Sequence, residues 1–91
     1  MMELYVHYTA LPEGMALEDV VEGLNEVMDD GGVVCGGLSH EQGGGRIDME
    51  LEDEKLNPKL AQGAVKSYVQ RVNFPRDTVI ELGGMKINAY A

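Results

Sequence analysis

The most regular stretch of the chain is Arg46–Asp53, where Ile47, Met49 and Leu51 alternate with Arg46, Asp48, Glu50 and Glu52. A period of two puts the apolar residues on one face of a strand and the charged ones on the other. Residues 2–10 repeat the pattern, with Met2, Leu4, Val6, Tyr8 and Ala10 on one side and Glu3, Tyr5, His7 and Thr9 on the other. Leu11-Pro12-Glu13-Gly14 ends this first strand, because proline and glycine punctuate regular structure. Gly32–Leu38 predicts a short, glycine-loosened strand, Thr78–Leu82 a fourth and Met85–Tyr90 a fifth. Gly83-Gly84 between the last two suits a two-residue hairpin turn, which needs positive φ.

Two segments change to the helical period. Residues 16–28 place Leu17, Val20, Val21, Leu24, Val27 and Met28 on one stripe, with Glu18, Asp19, Glu22 and Glu26 off it. Glu18 and Asp19 suit the positive end of the helix dipole. Gly23 costs about 1 kcal/mol relative to alanine in a helix, which points to close packing against a neighbour. The second helix starts at Asn57-Pro58, a cap followed by a proline whose missing N–H is not needed there. It presents Leu60, Ala61, Ala64, Val65, Tyr68, Val69 and Val72 on one side and stops at Asn73-Phe74-Pro75, with Asn73 suited to the left-handed capping conformation.

The resulting order, βαββαβ(β), predicts an α+β domain over residues 1–91, an antiparallel sheet of four to five strands with two helices on one face. Right-handed crossovers favour the ferredoxin-like split βαβ arrangement, with the acidic third strand beside the first. The opposite sheet face is then open to water or to a partner.

Composition adds charge to this picture. The chain has 16 Asp and Glu against 7 Lys and Arg, a net charge of −9. Nucleic acid and anionic membranes are poor partners for such a surface, since both call for basic residues. A basic protein is the better match, although solubility alone also accounts for high net charge. Cys35 is the single cysteine, so an intrachain disulfide and a multi-cysteine zinc site are excluded. The N-terminal residues lack the basic start and apolar run of a signal peptide, and a cytoplasmic location is expected.

Candidate chemistry centres on the wet sheet face. With the first and third strands antiparallel, Tyr5, His7 and Thr9 share a surface with Asp48, Glu50 and Glu52. Carboxylates two apart on a strand lie about 7 Å from each other, which suits a cation or a basic side chain better than a shared proton. His7, Asp48 and Glu50 are also the candidate ligands of a divalent metal, which His40 could join. Other stretches are weaker. Gly43-Gly44-Gly45-Arg46 leads into a strand and lacks the P-loop ending. Ser39-His40-Glu41 has the residue types of a hydrolase triad but not the assembly in space that catalysis requires. Cys35, among valines and glycines, reads as a small buried hydrophobe. Lys55, Lys59, Lys66, Arg71, Arg76 and Lys86 make the helical layer less acidic than the sheet face.

Fold alone does not decide function here. An RNA-binding sheet of this topology shows exposed aromatics among basic residues, whereas this one shows acids with Tyr5. The expectation is a small acidic, non-catalytic binding or inhibitory protein without a cofactor, recognising a basic protein through Tyr5, His7, Asp48, Glu50 and Glu52 or through an edge strand. The alternative is a metal- or small-ligand-binding regulatory domain using His7 with Asp48 and Glu50, self-associated as a homodimer through a sheet edge or the open face. An enzyme with His7 as acid or base is the third and weakest reading.

Overall fold

A computed structural model describes residues 2–28, 31–39, 44–52 and 58–90 of the chain. Five strands and two helices follow the expected order: β1 (Met2–Tyr8), α1 (Leu17–Met28), β2 (Gly32–Ser39), β3 (Gly45–Leu51), α2 (Pro58–Arg71), β4 (Val79–Leu82) and β5 (Met85–Asn88). The strands form one antiparallel sheet in the order β2-β3-β1-β4-β5. This is the ferredoxin-like split βαβ arrangement with β5 added beside β4.

Periodicity places the core. Leu4 and Val6 of β1, Ile47, Met49 and Leu51 of β3, and Ile80 of β4 are buried on one face of the sheet. They meet Val20, Leu24 and Met28 of α1 and Ala61, Val65, Tyr68 and Val69 of α2. The helices pack on each other, α1 also against β2 and α2 against β4. Tyr68 of α2 lies tightly against Gly23 of α1, because a Cβ there would fall on the Tyr68 hydroxyl and ring. Gly23→Val is therefore expected to destabilise the fold by about 1–3 kcal/mol through overpacking, read from the midpoint of a urea transition.

Local signals set the element ends. At the start of α1, the Asp19 carboxylate accepts the Ala16 N–H at 2.9 Å, satisfying one of the amides that a helix start leaves free. Asn73 takes φ 66° after α2. The Phe74 N–H then reaches the Val69 carbonyl at 3.1 Å and the Asn73 N–H reaches Gln70 at 3.2 Å, the paired bonds of a Schellman stop. Gly83 and Gly84, with φ 59° and 84°, turn β4 into β5. The expected cap at Asn57 lies outside the described residues.

Three boundaries are shorter than the sequence pattern suggests. β1 ends at Tyr8, and Thr9 instead hydrogen-bonds Asp77 at 2.9 Å. Thr78 precedes β4 and is buried, its hydroxyl donating to the Pro75 carbonyl at 2.7 Å. β5 stops at Asn88, whose side chain accepts the Tyr90 N–H and donates to the Arg76 carbonyl.

Candidate sheet-face site

The uncovered face of the sheet carries the alternate residues of each strand, and strand register sorts them into rows. Val33, Glu50 and Glu3 form one row across β2, β3 and β1. Gly36, Asp48, Tyr5, Glu81 and Lys86 form the next, running the width of the sheet. Arg46, His7, Val79 and Asn88 follow.

The middle of this face is held by paired side chains. Arg46 donates to both Asp48 oxygens, through Nε at 2.6 Å and Nη2 at 3.0 Å. The same guanidinium lies 4.9 Å from the centre of the Tyr5 ring. Tyr5 in turn donates its hydroxyl to Glu3, and that bond, with smaller effects from burial and nearby carboxylates, raises the phenol above its ordinary pKa. Hydrogen bonding to Asp48 likewise holds the Arg46 guanidinium more firmly protonated.

His7 does not join Asp48 and Glu50. It faces Arg46 across β3, and its Nε2 lies 2.8 Å from Glu81 Oε1 on β4. Asp48 is occupied by Arg46, leaving Glu50 apart from both. The expected trio of His7, Asp48 and Glu50 is thus not assembled: His7 pairs with Glu81, Asp48 with Arg46, and Glu50 faces Glu3. Among the described residues no three His, Cys, Asp or Glu side chains are grouped to hold a metal ion. Glu52 lies just past β3 and is exposed, its amide donating to the Gly31 carbonyl at 2.8 Å. His40, Glu41 and Gly43 lie outside the described residues.

The like-charged pair Glu3 and Glu50 is the unusual feature. Glu52 directs its N–H to β2, so by alternation Glu50 does as well, making Glu3/Glu50 a non-hydrogen-bonded pair on the β1 side. Such pairs bring side chains closest, and like charges directly opposite destabilise a sheet.

Cys35 corrects the sequence reading. The register of β2 against β3 shifts between Val34 and Gly36, and the extra residue at this β-bulge is Cys35, which is exposed. Its Sγ lies 3.5 Å from the Asp48 carbonyl. Desolvation against the strand, and then the Glu50 and Asp48 carboxylates, push the thiol above its ordinary pKa. Only thiolate is nucleophilic, so the pH midpoint for iodoacetamide alkylation is expected above that of the same cysteine in denaturant. Glu50→Gln should lower it.

Charge is also divided within the helical layer. The helical layer is not uniformly less acidic: α1 carries Glu18, Asp19, Glu22 and Glu26 without a basic residue, while α2 carries Lys59, Lys66 and Arg71 without an acid. Because α1 packs on β2 and α2 on β4, the two helices put acid beside β2 and base beside β4.

No helix among the described residues is long and apolar enough to cross a membrane. Compared with models of known protein families, with curated proteins and with solved structures, the chain matches none of them.

Proposed function

We propose that this chain is a small non-catalytic binding protein whose acidic sheet face docks a basic segment of another protein. The observation that carries this reading is Glu3 directly opposite Glu50 on the open face. Arg46, the cation nearest to them on β3, is bonded to Asp48. Two facing carboxylates oppose folding and would be relieved by a lysine or arginine supplied from outside. Arg46, Asp48 and Tyr5 form a fixed floor beside them, so little ordering is required on docking.

The test separates a docking surface from one that serves only solubility. Octalysine titrated into the protein in a calorimeter is expected to bind saturably, with affinity falling as salt rises. Replacing Glu3→Gln and Glu50→Gln together should weaken binding about five- to tenfold. The same pair of changes should raise unfolding stability by roughly 0.2–1 kcal/mol, because a like-charged pair is removed. Binding that is indifferent to both substitutions would refute the reading.

A further inference from the structure

The acidic helix α1 packs on β2, an outer strand whose one sheet neighbour among the described residues is β3. The backbone phase of β2 follows from β3. Glu52 and Glu50 point to β2, so Met49 and Ile47 point to β1, and their partners Val34 and Gly37 turn N–H and C=O to the open edge. Asn25 of α1 accepts the Val34 N–H at 2.8 Å. That contact and the adjacent bulge protect the first half of the edge, as natural sheets commonly do. The second half, from Gly37, has no comparable cap among the described residues.

Beside this open half lies an apolar groove of about 320 Å³. Its lining joins Leu17 and Val21 of α1 to Val34, Gly36 and Gly37 of β2 and to Ile47 and Arg46 of β3. It adjoins a hollow of about 430 Å³ that shares Leu17 and Val21 and is bordered by Glu18 and Glu22. On the sheet's other face, Gly36 lies next to Asp48, and Val33 next to Glu50. A Cβ at Gly36 would meet nothing within 4 Å, so a side chain passing over this residue has room.

We infer that the β2 edge receives an extended segment of a basic partner as an added strand, with apolar and basic residues alternating along it. This rests on the basic-partner reading above and specifies the form of the ligand. Alternate side chains of a strand point to opposite faces. One row would enter the groove under Leu17 and Val21, and the other would pass over Gly36 and Val33 toward Asp48 and Glu50. Main-chain bonds at an exposed edge supply affinity and side-chain pockets supply specificity in this mode of recognition. A second copy of the chain is the poorer occupant, since its own charge of −9 would meet the same acids.

The experiment compares three labelled octapeptides by fluorescence anisotropy: alternating lysine and valine, octalysine, and the lysine–valine peptide N-methylated along one edge. The lysine–valine peptide is expected to bind about tenfold tighter than octalysine, and to slow hydrogen exchange at the Gly37 amide. N-methylation and Val21→Gln should each remove that advantage while octalysine binding persists. A lysine–valine peptide no tighter than octalysine, or an advantage that survives both changes, overturns the edge site and leaves the acidic-face reading in place. Failure of every peptide to bind overturns both. A dimer in sedimentation that Val21→Gln abolishes assigns the groove to a second copy, and likewise overturns the inference.

Discussion

Leu4→Ala is expected to remove about 2–5 kcal/mol of unfolding free energy, the range for deleting a buried leucine side chain. Leu4 is fully buried on β1, the central strand, where it faces Met49 on one side and Leu82 on the other. The loss combines transfer of the side chain to water with the cavity left behind. Helices cover this face from above, so the sheet cannot close the gap by moving alone. A chain of 91 residues has roughly 5–14 kcal/mol to lose in total. Urea unfolding followed by far-UV circular dichroism should therefore show a large fall in midpoint with an unchanged slope.

Gly37→Val is expected to cost about 2–4 kcal/mol by a different route, combining backbone strain with steric overlap. A Cβ at Gly37 would overlap the Arg46 carbonyl oxygen, and the residue sits at φ 156°. The obstructing atom is backbone in the neighbouring strand and cannot swing aside. Relief requires opening the β2–β3 ladder, so the loss should be local as well as global. Native-state hydrogen exchange should quicken across β2 and β3 more than across β1 and β4. Valine at Gly36, where a Cβ has room, should be far milder and serves as the control.

The fold was readable because its signals are local. The alternation of Leu4 and Val6 with Tyr5 and His7 fixed which face each residue occupies, and burial follows it along β1 and β3. Asn73, Gly83 and Gly84 announced left-handed conformations that only a few residue types adopt readily. Gly23 marked the helix contact by being an unfavourable choice without one. The site was less readable because periodicity assigns a face, not a partner. His7 meets Glu81, 74 residues away, and that match depends on which strand flanks β1 on its far side. Cys35 was misplaced because glycines cannot report which face a strand buries, and one inserted residue at the bulge changes the count. The groove beside β2 had no sequence signal of its own, since Leu17 and Val21 belong to the same apolar stripe as the core residues Val20 and Leu24.

The location of acid matters more than its amount. Glu18, Asp19, Glu22 and Glu26 on α1 form a second acidic surface, which could attract a basic probe without any contribution from the sheet. Amide chemical-shift mapping of the isotope-labelled protein during titration with octalysine distinguishes the two. Saturable shifts centred on Glu3, Tyr5, Asp48 and Glu50, weakening with salt and leaving the amides of α2 still, are the expected result. Shifts confined to α1, or none that saturate, would contradict the assignment of the open sheet face as the docking surface.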